Sequence, residues 1–202
     1  MSASSTVENY LKAIYTGSVG PGGDRRLLPM GHLATALGVT PGTATTMVKT
    51  LDESGLVHYE PYAGVALTPA GQKLAALVLR RHRLIELFLV QVMGMSWDEV
   101  HDEAEHMEHA VSDLLVDRID AFLGHPLVDP HGDPIPSRGG ALPSPVHATL
   151  ATCAVQRGLR IVRVTEQTAD FLHFAAAQGL RPGALIAVQK QPSPPAEGDP
   201  DR

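Results

Sequence analysis

The stretch His101-Asp102-Glu103-Ala104-Glu105-His106-Met107-Glu108-His109 sets three histidines and three glutamates within nine residues. On an α-helix, at ~100° per residue, Glu105, Glu108 and His109 project within about 100° of arc. Two carboxylates and an imidazole on one face repel each other or lie half-desolvated unless a cation joins them. That donor set suits a divalent ion of intermediate hardness. One element earlier, His82 and Glu86 stand four residues apart in Arg80-Arg81-His82-Arg83-Leu84-Ile85-Glu86, again on one helix face.

Each group also has a plainer reading. The cluster at 105–109 is otherwise a solvated acidic face, but its apolar neighbours Val100, Ala104 and Met107 favour metal. His82 and Glu86 alone read equally well as a helix pair worth ~0.3–0.5 kcal/mol, and His101 is similar. His106 points about 100° away from Glu105 and is expected to be exposed. His125 and His131 read as loop structure, Asp102 and Glu103 as surface or supporting groups, and Trp97 as packing.

Upstream, the pattern is that of a DNA reader. Residues 6–16 form an amphipathic helix, and Gly17–Gly23 a break. Met30–Leu37 is a short helix stopped by Gly38. Thr40 and Pro41 then cap and start a helix running to Ser54, with Ala44, Val48 and Leu51 inward. Helix, short turn, helix is the helix-turn-helix pattern. Thr40, Gly42, Thr43, Thr45, Thr46 and Lys49 are its candidates for DNA contact. Hydroxyls reach phosphates or bases, and Thr methyls meet thymine methyls. No Arg or Gln fork is present, so DNA shape and water are expected to carry much of the specificity. Leu56–Tyr59 and Val65–Leu67 alternate as strands around Pro61-Tyr62-Ala63-Gly64, a β-hairpin wing that offers Tyr62.

Thr68 and Pro69 open a long helix that carries His82 and Glu86. One further helix is expected from Trp97 to Leu123. Its apolar positions, Val100, Ala104, Met107, Val111, Leu114, Leu115, Ile119 and Phe122, exceed what one small domain needs, which predicts a homodimer. His125–Val146 is rich in Pro and Gly and reads as a loop or linker. Beyond it, strands are expected at Ile161–Val164 and Ile186–Val188, with a helix at Thr168–Gln178 between them. Pro192–Arg202 reads as a disordered tail.

A chain of 202 residues has room for two or three small domains. No apolar run approaches the ~18 residues of a membrane span, and the first residues lack a secretory pattern. Cys153 is the only cysteine, which excludes an internal disulfide. These points favour a cytoplasmic protein. The net charge of -6 argues against DNA only weakly, because local patches set phosphate affinity. Many carboxylates lie at 98–108, and basic residues appear as Arg25-Arg26, Lys49 and Arg80-Arg81.

Several segments, in order, resemble the diphtheria-toxin-repressor family, which includes the manganese transport regulators. Val7-Glu8-Asn9-Tyr10-Leu11-Lys12-Ala13-Ile14-Tyr15 is similar to its first helix, and Leu67-Thr68-Pro69-Ala70-Gly71 to its wing exit. Arg81–Glu86 and Val100–Glu105 resemble its metal-binding helices. His125-Pro126-Leu127-Val128-Asp129-Pro130-His131-Gly132-Asp133-Pro134-Ile135-Pro136 resembles a signature loop.

The resemblance implies a mainly α protein in three parts. These are a winged-helix DNA-binding domain (1–73), a helical metal-binding and dimerisation domain (74–140) and a small, possibly incomplete SH3-like domain (141–191), followed by the tail at 192–202. It implies a metal-dependent repressor of metal-homeostasis genes that binds a palindromic operator as a homodimer. It places Asn9, Glu105, Glu108 and His109 in a primary metal site. His82, Glu86 and His101 fall in an ancillary site, with Asp170 and Gln167 as the nearest matches for its C-terminal ligands.

Iron-responsive members carry Cys where this chain has Glu105 and Met where it has Asn9. The harder carboxylate favours Mn²⁺, with Fe²⁺ the alternative and Zn²⁺ or Co²⁺ substitutes in vitro. Manganese regulators usually have acids where this chain has Asn9 and Lys12. Asn9 offers only a neutral carbonyl oxygen and Lys12 cannot ligate, which argues against their binuclear site.

A metallohydrolase is the competing class. His106, Glu108 and His109 approach the H-x-x-E-H motif, which needs His at 105, where this chain has Glu. A metal-storage protein would not need a helix-turn-helix with a wing.

Overall fold

The computed structural model describes residues 4–18, 26–141, 148–153 and 157–188. Arg25, part of the expected linker and the expected tail at 192–202 lie outside the described residues. Helices dominate, accompanied by two small antiparallel sheets. Helix α1 (Ser5–Gly17) starts at Ser4, whose hydroxyl accepts a hydrogen bond from the Val7 N–H. Helices α2 (Met30–Ala36) and α3 (Pro41–Glu53) follow. Thr40 caps α3 through the Thr43 N–H and Pro41 opens its first turn, as the sequence predicts.

Strands β1 (Val57–Glu60) and β2 (Gly64–Leu67) pair antiparallel, and Leu28 adds a bridge to Val65. Leu11, Ile14, Leu33, Val48, Leu51 and Val65 form the core of this winged unit, and Ala75 and Leu79 of the next helix complete it. The winged unit is therefore seated directly on helix α4 (Pro69–Gln91). Thr68 caps α4, and Gly71 passes so close to the Leu56 carbonyl that a Cβ would collide with it.

The expected single helix from 97 to 123 is two helices. Helix α5 (Val100–Met107) ends with Glu108 at its C-cap, and α6 (Asp113–Phe122) begins anew. Ser112 causes the restart, because its hydroxyl accepts from the Leu115 N–H and caps the second helix. Leu84, Leu87, Val116 and Ile119 join α4 to α6, while Ile85, Leu89, Val100 and Ala104 join α4 to α5. Leu114 (69% exposed) and Phe122 (70%) remain uncovered on α6, as expected of a dimerising helix.

The C-terminal module holds β3 (Arg157–Arg160), α7 (Ala169–Ala177) and β4 (Leu185–Ala187), with β3 and β4 paired. The strand expected at 161–164 does not form. Ile161 donates to the Ala184 carbonyl, but Val164 donates to the carbonyl of His131 in the 125–136 loop. Gly132 permits that contact. Its φ is 85°, and a Cβ there would strike the Val162 carbonyl. Trp97, Val164, Leu172 and Ala175 form the small core that fastens this module to the α4–α5 turn.

Candidate metal centre

Helices α1, α4 and α5 converge on one carboxylate, Glu108, which is fully buried. Its Oε2 lies 2.7 Å from His82 Nδ1 and 2.8 Å from Lys12 Nζ. Its Oε1 is buried with no hydrogen-bond partner and lies 3.4 Å from His109 Nε2. Burial acts to raise the Glu108 carboxyl, but the hydrogen bond from His82 and the charge of Lys12 hold it below the ordinary carboxylate value. An ionised, buried oxygen without a donor is costly unless a cation meets it. The donor chemistry around Oε1 therefore fits a metal ion.

Asn9 and His109 complete that side. Asn9 Oδ1 is 2.6 Å from His109 Nε2, and His109 Nδ1 is 2.7 Å from Glu8 Oε2. Against a carboxylate, Nδ1 is the N–H side of the ring. Nε2 is then the nitrogen that faces Asn9 and Glu108 and is placed to ligate. Glu8 is itself held by Arg81, at 2.7 Å. Sequence reading missed Glu8 as part of this site. Its signal was present, because it adjoins Asn9 at the start of an amphipathic helix, yet it is buried rather than exposed.

Asn9, Glu108 and His109 are thus brought together as expected, although not on one helix. Glu105 stays on α5, Glu108 caps it, and His109 lies in the turn beyond. Glu105 faces another way from His109, since its Oε1 receives Lys12 Nζ and lies 3.8 Å from His101 Nε2.

His82, Glu86 and His101 also meet. His82 Nε2 is 3.0 Å from Glu86 Oε1, and His101 Nδ1 is 3.3 Å from the same oxygen. Burial works to lower the His82 pKa, but hydrogen bonds to Glu108 and Glu86 overcome it and push it up to about 9. Both ring nitrogens then donate to carboxylates. Lys12 Nζ, 3.1 Å from Nδ1, is a like-charged neighbour rather than a hydrogen-bond partner, and it acts to lower that pKa. Glu86 is shifted down: burial acts to raise it, and its hydrogen bonds from His101 and His82 prevail.

Neither expected C-terminal residue joins this group. Asp170 is exposed at the start of α7. Gln167 instead donates to Asp133 and to the Val164 carbonyl. The 125–136 loop supplies Asp129 and His131, both buried, which with Glu86 form a third group of ligand-type atoms within 4.8 Å of one another. His131, expected to be loop structure only, has no exposed surface. Its Nε2 donates to the Trp97 carbonyl at 2.7 Å, and its Nδ1 is buried without a hydrogen-bond partner, 3.9 Å from Glu86 Oε2. Burial, followed by the charges of Glu86 and Asp133, pushes the Asp129 pKa up to about 8 against the pull of Arg83. The Asp-Pro-His spacing in the signature loop was the missed signal.

On the DNA-reading side, Thr40, Gly42, Thr43, Thr46 and Lys49 are exposed and Thr45 is half-buried. Tyr62 is fully exposed at the wing tip, with φ 67°. Thr45 and Thr46 donate their hydroxyl protons to the Pro41 and Gly42 carbonyls. They therefore offer lone pairs and methyl groups outward. The Arg80-Arg81 pair expected as a basic patch is not one: Arg80 pairs with Asp120 at 2.9 Å and Arg81 with Glu8.

Two family models match. The iron dependent repressor N-terminal DNA binding domain covers residues 2–65, and the iron dependent repressor metal binding and dimerisation domain covers residues 68–137. An uncharacterized HTH-type transcriptional regulator of Methanocaldococcus jannaschii is 35% identical over 120 residues, 59% of this chain and 94% of that protein. The diphtheria toxin repressor of Corynebacterium glutamicum is 34% identical over 135 residues, 66% of this chain but 57% of that protein. A manganese-dependent transcriptional repressor in complex with manganese superposes with a TM-score of 0.82 at 38% identity, covering 92% of this chain and 84% of that one. The chain belongs to the iron-dependent repressor family of metal-dependent, dimerising, DNA-binding transcriptional regulators.

Proposed function

We propose that this protein is a homodimeric repressor that couples Mn²⁺, or alternatively Fe²⁺, to operator binding and so controls metal-homeostasis genes in the cytoplasm. The observation that carries this reading is the orphaned Glu108 Oε1 beside His109 Nε2 and Asn9 Oδ1. Asn9, Glu108 and His109 would hold the ion. When bound, a divalent ion supplies a cross-link between α1 and the turn after α5. Asn9 comes from the DNA-reading unit, whereas Glu108 and His109 come from the helical unit. Binding energy that favours their joined arrangement is then available to favour the DNA-competent state. Glu8 orients His109 through Nδ1, and Arg81 orients Glu8. The harder, oxygen-rich donor set favours Mn²⁺.

In this reading residues 1–73 bind DNA and 74–140 hold metal and dimerise through α6. Residues 141–191 form a short SH3-like module. The face of α3 with Gly42, Thr43, Thr46 and Lys49 enters the major groove of a palindromic duplex, with Thr40, Thr45 and Tyr62 at its margins. For a second ion, Glu86, Asp129 and His131 are the better reading, and His82 and His101 the alternative partners of Glu86. The buried His131 Nδ1, which has no hydrogen-bond partner, favours the first set.

The test is calorimetric Mn²⁺ titration of Glu108→Ala and His109→Ala, with His106→Ala as the control because His106 is exposed. The first two variants should lose one binding event per protomer, and the control should keep it. Unchanged binding in both would remove this site.

A further inference from the structure

We infer that Lys12 is a built-in cation that takes up the second metal position of this centre and so limits the Asn9–Glu108–His109 end to one divalent ion. This rests on the reading of Asn9, Glu108 and His109 as ligands. His82, Glu105 and Glu108 offer ligand atoms within 4.8 Å of one another, a grouping with the composition of a second metal position. Lys12 Nζ contacts all three: it donates to Glu105 Oε1, lies 2.8 Å from Glu108 Oε2 and lies 3.1 Å from His82 Nδ1. An ion bonded to those atoms would need the space that Nζ fills and would meet its charge at close range.

The side chain is placed for this role by its element. Lys12 lies one turn after Glu8 and Asn9 on α1, so it reaches across to α4 and α5 beside the first position. An ammonium donates up to three hydrogen bonds and accepts none, so it can meet carboxylates but cannot ligate a metal. Its short, charge-assisted bonds also divide the labour within Glu108: Oε2 is matched by Lys12 and His82, and Oε1 is left open toward His109. Lys12 therefore sets stoichiometry rather than completing a coordination sphere. Glu105 acts as its partner instead of as a ligand.

The test compares the full chain with Lys12→Gln and Lys12→Arg by equilibrium dialysis against Mn²⁺ and elemental analysis, with His109→Ala measured alongside. Lys12→Gln should bind one more Mn²⁺ per protomer than the parent protein, and its thermal midpoint in chelator should fall and then recover in Mn²⁺. Lys12→Arg keeps the charge and should keep the parent stoichiometry. If Lys12→Gln folds only in Mn²⁺, one cation has replaced the other, which supports the inference. An unchanged Mn²⁺ count in Lys12→Gln overturns it. Because that count is taken relative to the parent, it is judged separately from His109→Ala, whose failure to lose an ion would instead remove the first site.

Discussion

His109 Nδ1 lies 2.7 Å from Glu8 Oε2, so a ring on the turn after α5 is aimed by a carboxylate on α1. Glu8 is no ligand in this account, but it fixes which nitrogen of His109 faces Asn9 and Glu108. Supporting carboxylates of this kind are worth about 10–100-fold in metal affinity. Glu8→Gln should weaken Mn²⁺ binding by that order in calorimetric titration while the far-UV circular dichroism stays unchanged. Parent-like affinity would show that His109 is oriented by something else.

The His82 pair predicts a pH dependence. The folded pKa is raised from 6.5 to about 9. Stability from this group is therefore fully present below about 6.5 and is lost as pH rises through about 9. The shift corresponds to at most on the order of 3 kcal/mol. In chelator, the thermal midpoint should fall by several degrees across that window, and His82→Gln should flatten the fall. A midpoint that rises over the window would contradict the imidazolium bridging Glu108 and Glu86.

The dimer prediction rests on α6. Leu114 and Phe122 are more than two-thirds exposed, although the helix buries Val116 and Ile119 against α4. Leu114→Glu with Phe122→Glu should halve the mass seen by light scattering without unfolding the chain. A dimer that survives both changes would place the interface elsewhere.

For DNA, Lys49→Ala should weaken binding to every duplex and flatten the salt dependence by about one unit, as for one lost phosphate contact. Thr46 differs because its hydroxyl proton is committed to Gly42. Thr46→Val should keep the methyl contact and change preference only where a base donates to the oxygen. Competition binding with duplex variants separates the two. Identical behaviour of both variants would take α3 out of the major groove.

Much of this was legible because local rules and tertiary structure agree. Thr40-Pro41 and Thr68-Pro69 are strong helix starts, and both are helix starts in the structure. The break at 108–112 was harder to see, because the apolar period runs on through it and only the Ser112 cap interrupts. Residues 161–164 have strand composition, but their partner is the irregular 125–136 loop, distant in sequence. The meeting of Glu108 with His109 was legible from their spacing, and that of Asn9 with them from the resemblance. The inward turn of Glu8, Lys12 and His131 was not, since each looks like a surface residue until the packing of α1 and the loop against α4 and the α4–α5 turn is known. Arg80 and Arg81 erred the other way: basic in sequence, they are consumed by Asp120 and Glu8.

The central claim is that metal held by Asn9, Glu108 and His109 licenses operator binding. Fluorescence anisotropy tests it, using a duplex enriched from a random pool by the Mn²⁺-loaded protein. The account predicts tight binding in Mn²⁺, loss on adding chelator, and no Mn²⁺ response in His109→Ala. Equal affinity of the parent protein with Mn²⁺ and with chelator would contradict it.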